Sequence, residues 1–192
     1  MFVLEVKHIN SLIVLGLLDL SAFSQQHGHP KGRVLEKEGT RYLLSQMLNK
    51  KSVDVLYTEH GQPYLEGYKQ QLSISHSHEK LAVLLHESGP AGVDIEKIRD
   101  KVQHIQHKFL NEEERAMAES NTDRLICFWA AKEALYKVYG KKELDFVKHL
   151  RIHDYDATHV YGSIHKGTFH KKYVLACENI EDYKLVYVLN EV

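Results

Sequence analysis

Two acidic side chains alternate with apolar ones in the segment Val93-Asp94-Ile95-Glu96. Residues two apart in a β-strand point to the same face, so Asp94 and Glu96 present their carboxylates together while Val93 and Ile95 turn to the core. Hard divalent cations take oxygen ligands, and magnesium commonly uses one or two carboxylates together with substrate phosphates. The segment therefore indicates either a magnesium site or, as this pattern alone more often means, the solvent-exposed face of an edge strand.

A second group of chemically capable side chains lies in a predicted helix that runs from about Thr122 to Val138. Trp129, Glu133 and Lys137 are four residues apart, so they fall on one helical stripe with about 6 Å between successive positions. A surface ion pair between Glu133 and Lys137, worth roughly a few tenths of a kcal/mol, is the simplest explanation of the two charges. That explanation leaves the tryptophan on the same stripe unaccounted for.

The overall composition is typical of a globular protein rather than a disordered or fibrous one. The 192 residues are 43% hydrophobic and 27% charged. The longest apolar stretch, Leu12 to Leu18, is too short to cross a bilayer, which requires about 20 apolar residues. It also makes a poor signal peptide, because Glu5 precedes it and Asp19 closes it. We therefore expect a protein without a membrane segment.

Cysteine and histidine do not follow the spacings of a zinc site or a disulfide scaffold. Cys127 and Cys177 lie in apolar contexts without CxxC spacing, so we expect reduced core thiols and a cytoplasmic protein. The chain has 14 histidines, and pairs such as His76 and His78 suggest a zinc site. The lack of a cysteine cluster and of partnered ligands at zinc spacings disfavours that interpretation.

The formal net charge of −1 excludes a bulk electrostatic attraction to nucleic acid. An anionic ligand must therefore be held by local groups of basic residues, and two such groups are present. The first contains Lys31, Arg33, Lys37, Arg41, Lys50 and Lys51, and the second Lys97, Arg99, Lys101 and Lys108. Either group by itself is more typical of a solvated helix face.

The remaining pattern predicts an α+β protein, because strands and helices follow one another without regular βαβ alternation. Residues 1–20 indicate one or two strands, and residues 34–49 an amphipathic helix. Asn111 fits the N-cap of a helix that starts at Glu112, and Gly140 fits the end of the longer helix. Further strands are predicted at residues 53–57, 72–75, 93–96, 150–152, 160–164, 173–177 and 185–189. The Gly89-Pro90 break divides the chain into halves of similar length.

Two motifs together resemble the signatures of the 4′-phosphopantetheinyl transferase superfamily. They are Gly92-Val93-Asp94-Ile95-Glu96 and, about thirty residues later, Trp129-x-x-Lys132-Glu133-Ala134-x-x-Lys137. Two upstream segments are similar to accessory motifs of the surfactin-synthetase-activating type, in which one chain carries two related halves. They are Gly61-Gln62-Pro63-Tyr64-Leu65 and Ser73-Ile74-Ser75-His76-Ser77. The resemblance extends from about Lys31 to Lys137 and is strongest from Ser73 onward.

The resemblance implies two similar α+β halves that form a pseudo-dimer, with the active site in the cleft between them, in a protein that is a monomer. Residues 1–90 would bind the phosphates of coenzyme A, and residues 91–192 would carry the magnesium site and the catalytic helix. The implied reaction moves the 4′-phosphopantetheine group of coenzyme A to a serine of an apo acyl or peptidyl carrier protein and releases 3′,5′-ADP. This is the activity of a holo-acyl-carrier-protein synthase in fatty-acid or secondary-metabolite biosynthesis.

The same resemblance implies roles for individual residues. Asp94, Glu96 and Glu133 would hold the magnesium ion, and Lys137 would contact the phosphate under attack. Glu133, or a metal-held water beside it, would accept the proton of the attacking serine. The residues implied for the nucleotide end of coenzyme A and its phosphates are Ser75, His76, Lys31, Arg33 and Arg41.

Two features bear on the substrates. Gln62 stands where the family often has a basic residue before the proline, so one phosphate contact is missing or is supplied elsewhere.

Carrier proteins present acidic helices around the target serine, so the basic segment from Lys97 to Lys108 is where we expect one to dock.

Two other functions are compatible with the same side chains. One is a catalytically degenerate module that only binds coenzyme A or a carrier protein, and the other is a magnesium-dependent hydrolase of a nucleotide diphosphate. Retention of Asp94, Glu96, Glu133 and Lys137 argues against the first, because a binding module has no need of a metal-held general base. Release of 3′,5′-ADP from coenzyme A without any carrier protein would distinguish the second.

Overall fold

The computed structural model describes residues 3–28 and 32–192, so Lys31 lies outside the described residues. The chain divides into two compact units, Met1–Ala91 and Gly92–Val192. Each unit combines helices with an antiparallel sheet, so the chain has the α+β class that the sequence predicts. None of the described helices is both long enough and apolar enough to cross a membrane.

The described residues of the first unit form two helices and six strands. The helices are α1 (Leu20–His27) and α2 (Arg33–Met47), and the strands are β1 (Leu4–His8), β2 (Ile13–Asp19), β3 (Val55–Tyr57), β4 (Pro63–Leu65), β5 (Gln71–Ser77) and β6 (Lys80–His86). Four strands form a sheet in the order β1-β2-β6-β5, and β3 pairs with β4 in a separate ribbon. Leu43 and Leu44 of α2 are fully buried in the core with Leu81 of β6, which confirms the predicted apolar stripe.

Helix α1 is absent from the sequence prediction, although its ends carry ordinary capping signals. Asp19 ends β2 and caps α1, because its carboxylate accepts the backbone N–H of Ala22 at 2.8 Å. Gly28 ends the helix in the left-handed conformation, with a φ of 63°. Only Leu20 and Phe23 of this helix are buried, so its sequence shows too short an apolar stripe to be recognised.

The second unit contains a five-stranded sheet and three α-helices. The helices are α3 (Lys101–Ile105), α4 (Glu112–Ala118) and α5 (Thr122–Tyr139), and the strands are β7 (Val93–Lys97), β8 (Leu150–Tyr155), β9 (His159–Lys166), β10 (Phe169–Ile180) and β11 (Tyr183–Glu191). The strand order is β7-β11-β10-β9-β8, with every neighbouring pair antiparallel. The strand β7 is therefore at one edge of the sheet and β8 at the other.

Helix α4 begins where the sequence predicts, and α5 begins and ends close to its predicted bounds. Asn111 and Glu114 form a capping box at the start of α4. Gly140 ends α5 in the left-handed conformation, with a φ of 65°. Gly92 allows α5 to approach the start of β7 closely, because a Cβ atom at this position would stand 2.4 Å from the carbonyl oxygen of Ala134. This close approach sets the stripe of α5 against the acidic strand.

Candidate active site

The strand β7 buries more of its acidic pair than the sequence predicts. Val93 and Ile95 are fully buried, as expected from the alternation. Asp94 is only 3% exposed, however, whereas Glu96 is half-buried. The solvent-exposed face, one of the two alternatives for this pattern, is therefore wrong for Asp94, whose carboxylate accepts a hydrogen bond from Lys137 of α5.

Lys137 joins α5 to β7. Its Nζ donates to the Asp94 Oδ1 atom at 2.7 Å and to the carbonyl oxygen of Val93 at 2.8 Å. The lysine side chain keeps 26% of its surface exposed, while that of Asp94 keeps 5%. The simple surface pair between Glu133 and Lys137 is thus replaced by a partly buried contact between helix and strand. The predicted contact of Lys137 with a phosphate stays a prediction.

Trp129 forms a hydrogen bond with Glu96, the other acidic residue of β7. Its indole Nε1–H donates to the Glu96 Oε1 atom at 3.0 Å. The indole ring stacks on Phe146, with centroids 5.5 Å apart, and meets the edge of Phe109 at 5.0 Å. These aromatic contacts hold the indole in place, so Trp129 orients the Glu96 carboxylate. The tryptophan on the stripe, which a surface ion pair leaves unexplained, therefore has a positioning role.

Glu133 lies between Trp129 and Lys137 on the same face of α5. Burial is the main cause that raises the pKa of its carboxyl group to about 7. The neighbouring carboxylates of Asp94 and Glu96 raise the pKa further, while the Lys137 ammonium opposes them. Glu133 is therefore close enough to Asp94 and Glu96 to be repelled by their carboxylates, and without a metal ion it titrates near neutral pH.

A divalent cation fits the chemistry of these three carboxylates. Their mutual repulsion is a cost that a bound cation would remove, and their oxygens are the hard ligands that magnesium prefers. Among residues 3–28 and 32–192, no group of three or more His, Cys, Asp or Glu side chains has a geometry that could hold a metal ion. Magnesium needs only one or two protein carboxylates when substrate phosphates complete its shell. The assignment of all three residues stays a prediction.

The lysine inside the helical motif has a structural environment that sequence reasoning missed. Lys132 is fully buried, and its Nζ donates to the Glu114 Oε2 atom at 2.7 Å and to the carbonyl oxygens of Phe109 and Phe146. Burial lowers the pKa of Lys132 to about 8, and Glu114 opposes this shift. The other oxygen of Glu114 accepts the backbone N–H of Ile152 at 2.8 Å. The pair thus anchors the two backbone segments whose aromatic rings support Trp129.

A cavity of about 270 Å³ in the first unit collects several of the residues predicted for coenzyme A. Its lining includes Arg33, Arg41 and His76, and it also includes Lys37 and Tyr57, which the sequence did not single out as ligands. Arg41 pairs with the exposed Asp54 carboxylate at 2.6 Å, and the His76 Nε2 atom lies 3.3 Å from Glu36. The pairing between Arg41 and Asp54 is exposed on both sides, so it is weak and easily exchanged for a phosphate.

Ser75 and Gln62 take up other positions in the first unit. Ser75 is buried within β5, opposite Ala82 of β6. Gln62 lies in the turn that precedes β4, where its carbonyl oxygen accepts the backbone N–H of Thr58 at 3.0 Å. The predicted contact of Ser75 with the nucleotide end of coenzyme A stays a prediction.

The basic segment after β7 forms α3 and the short turn that follows it. Val102 is buried and anchors the segment, whereas Arg99, Lys101 and Lys108 are exposed. Lys97 is less available for a partner, because it pairs with Asp182 at 3.0 Å and lies over the ring of Tyr183. The exposed cations therefore come from α3 and its flanks rather than from the strand.

A comparison with family models gives one match, to the 4′-phosphopantetheinyl transferase superfamily, over residues 90–188. The matched region contains β7, α5 and the whole of the aromatic and acidic arrangement described above. No curated protein matches the chain.

Proposed function

Because the chain belongs to the 4′-phosphopantetheinyl transferase superfamily, we propose that it transfers the 4′-phosphopantetheine group of coenzyme A to a serine of an apo acyl or peptidyl carrier protein. Phosphopantetheinyl transfer is the reaction that this membership implies. The observation that carries the proposal is the family match over the unit in which α5 sets Trp129, Glu133 and Lys137 against Asp94 and Glu96. We also assign the chain to the type with two related halves, on the strength of its upstream motifs.

The acidic group would hold a magnesium ion through Asp94, Glu96 and Glu133. When bound, the ion supplies positive charge that offsets the charge developing on the leaving 3′,5′-ADP. The Lys137 ammonium lies beside the same carboxylates and would add positive charge at the phosphate under attack. Trp129 would keep the Glu96 carboxylate turned toward the site.

The attacking serine must lose a proton, and Glu133 or a water molecule beside it would accept that proton. Without a metal ion the pKa of Glu133 is raised to about 7. A bound cation would lower this pKa and keep the carboxylate ionised, so that it could accept a proton. Proton transfer of this kind typically contributes about 10²–10⁴-fold to the rate. Asp94 is paired with Lys137 and is therefore less suited to this role.

The nucleotide end of coenzyme A would bind in the cavity of the first unit. Arg33 and Arg41 supply guanidinium groups, which pair with phosphates in a bidentate manner, and His76 lies on the same lining. Lys31 and Ser75 belong to the same proposal by resemblance. The exposed ring of Tyr57 offers a flat apolar surface for the adenine base.

The carrier protein would dock on the exposed cations around α3. Acidic helices of a carrier are complementary in charge to Arg99, Lys101 and Lys108, and such complementarity mainly raises the association rate. We therefore expect the affinity for the carrier to fall as the salt concentration rises.

The release of 3′,5′-ADP tests the proposed function directly. Incubated with coenzyme A and magnesium alone, the protein is expected to release little 3′,5′-ADP, and release is expected to begin when an apo carrier is added. Steady release without a carrier would identify a hydrolase of nucleotide diphosphates. No release with any member of a panel of fatty-acid, polyketide and peptide carriers would identify a binding module.

A further inference from the structure

Three histidines and a serine form a continuous hydrogen-bonded relay on the outer face of the second sheet. His153 of β8 and His165 of β9 each place their Nε2 atom against the Ser163 Oγ atom, at 2.7 and 2.8 Å. The Nδ1 atom of His165 lies 2.9 Å from that of His170 in β10. The Nε2 atom of His170 lies 2.7 Å from the carbonyl oxygen of Gly167. The relay therefore crosses three strands.

The final carbonyl group fixes the direction of every proton in the neutral relay. A carbonyl oxygen only accepts, so the His170 Nε2 atom carries a hydrogen and its Nδ1 atom accepts from His165 Nδ1–H. The His165 Nε2 atom then accepts the Ser163 hydroxyl, whose oxygen accepts from His153 Nε2–H. The His153 Nδ1 atom is left as the acceptor at the open end of the relay.

The relay can take up one proton without losing a hydrogen bond. A proton that binds at His153 Nδ1 leaves the other bonds intact, and it can also move along the relay until the positive charge reaches His170. A second proton would place two hydrogens between the same pair of heavy atoms, which breaks a bond. The four side chains therefore act as a single site for one proton.

The relay borders a cavity of about 530 Å³ with a basic lining. Lys148, Arg151, His153 and His165 line the cavity, and Glu113 is the one acidic residue among its described lining residues. The contact between Arg151 and Glu113 is loose, at 3.6 Å, and both side chains are exposed. The cavity therefore carries an excess of positive charge that has no strong internal counter-charge.

The surroundings of His153 and His165 disfavour their protonated forms. Burial is the first cause that lowers the pKa of His153 and of His165. Positive neighbours lower both values further, while Glu114 of α4 opposes the shift at His153. The charged groups that act on the two histidines are Lys172 and His170 of β10, Arg151 of β8 and Glu114 of α4. An anion in the cavity would reverse the balance and favour the protonated relay.

This face is separate from the acidic site on β7. Gly162 points toward α5, since a Cβ atom there would meet Leu135, so its neighbour Ser163 points to the opposite face. The strands β8 and β7 are at opposite edges of the sheet, four strand spacings or about 19 Å apart. A ligand in the cavity would therefore not compete with substrate at Glu133.

We propose that the cavity binds an oxyanion of the phosphate type between Lys148, Arg151 and the relay, and that binding draws one proton into the relay. Guanidinium and ammonium groups bind the anion directly, as charge-assisted donors. The proton comes from solvent and enters at His153 Nδ1, so no bond other than N–H forms or breaks. The ligand is either free inorganic phosphate or a phosphomonoester on a larger molecule.

Calorimetric titration of the whole protein with sulfate tests the proposal, because sulfate does not titrate near neutral pH. We expect binding to weaken at least tenfold from pH 6 to pH 8. At pH 7, titrations in buffers of different ionisation enthalpy should show an uptake approaching one proton. Equal affinity at pH 6 and pH 8, or binding without proton uptake, would overturn the coupling to the relay.

Variants identify the groups responsible. The double variant Lys148→Gln, Arg151→Gln should bind sulfate at least tenfold more weakly at pH 6, whereas Lys69→Ala, an exposed lysine of the first unit, should bind normally. His153→Gln should bind with a smaller dependence on pH, because it removes the ring nitrogen at which the proton enters. Unchanged binding in the double variant would overturn the proposed site.

Separate titrations with inorganic phosphate and with phosphoserine distinguish the two sources of the anion. The ligand with the much larger binding constant identifies the source. The measured quantity is binding, so the result is independent of the proposed transferase activity. Urea unfolding verifies that the variants fold, and all of them should transfer phosphopantetheine at the rate of the unchanged protein.

Discussion

Three residues of α5 interact in different ways with the two acidic residues of β7. Trp129 donates a hydrogen bond to Glu96, and Lys137 pairs with Asp94. The carboxylates of Asp94 and Glu96 both raise the pKa of Glu133. The spacing of the three was visible in the sequence, whereas their partners were not, because a helical stripe does not say which strand it faces. The burial of Asp94 has the same origin, since it depends on the Lys137 side chain that covers it.

Replacing Trp129 by phenylalanine should separate orientation from packing. The variant removes the indole N–H donor to Glu96 but keeps an aromatic ring against Phe146. We expect the transfer rate to fall about tenfold and the magnesium requirement to rise, with a stability loss of about 1 kcal/mol. Tyr136→Phe, which keeps the second ring stacked on Phe146, is the matched control. Equal rates and magnesium requirements in both variants would remove the orienting role.

The raised pKa of Glu133 predicts how stability depends on pH when metal is absent. The pKa is about 7 in the folded protein against an ordinary glutamate value of 4.5, so folding favours the protonated carboxyl group. The resulting stabilisation is complete below pH 4.5 and is lost as the pH rises through about 7. Urea unfolding in a chelator should show this loss, on the order of 1 kcal/mol, in the unchanged protein but not in Glu133→Gln. The same pH dependence in both proteins would contradict the prediction.

Among the elements, α5 was the easiest to predict and the hardest to interpret. Its bounds follow from capping residues and an apolar pattern, and the structure confirms them. The sequence assigns no environment to the motif lysine at position 132, which is fully buried against Glu114 of α4. The sequence could not indicate this pairing, because the two residues are on different helices and meet only through tertiary packing.

The buried pair makes a prediction about stability. Lys132→Met leaves the Glu114 carboxylate buried without its cation, so we expect a loss of about 3 kcal/mol or more in the free energy of unfolding. Adding Glu114→Gln removes the unpaired charge and keeps an acceptor for Ile152, so the double variant should be the more stable of the two. Urea unfolding of the two variants provides the measurement. A double variant that is less stable than Lys132→Met would argue against a buried charge as the cause.

At the scale of the whole molecule, the sequence predicted most strands of both units but not the features formed between strands. The relay depends on a register shift between Ile152 and Asp154, which brings His153 next to Ser163. No spacing in the sequence indicates such a bulge, since it arises from the pairing of β8 with β9. The cavity of the first unit is a similar case, because Tyr57 and His76 come from different strands.

The two units should respond differently to mutation if they hold different parts of the substrate. Arg41→Ala and Arg33→Ala alter residues that would hold the nucleotide end of coenzyme A, which does not react. We therefore expect a KM for coenzyme A that is raised about tenfold with kcat little changed, because ground state and transition state lose the same contact. Lys69→Ala, an exposed lysine of the same unit, is the control. An unchanged KM in both arginine variants would instead favour the interpretation that the basic residues of α2 form a solvated helix face.

The most direct test of the central claim is the intact mass of an apo carrier protein after incubation with coenzyme A, magnesium and the protein. The unchanged protein should add the mass of one phosphopantetheine group to the carrier and release an equal amount of 3′,5′-ADP. Glu133→Gln, which keeps the shape of the site but removes an anionic ligand and a proton acceptor, should be slower by about 10² or more. Lys137→Ala should also be slower, since its charge would act in the transition state. Wild-type rates in both variants at saturating magnesium and coenzyme A, or a carrier of unchanged mass with the unmodified protein, would contradict the assignment.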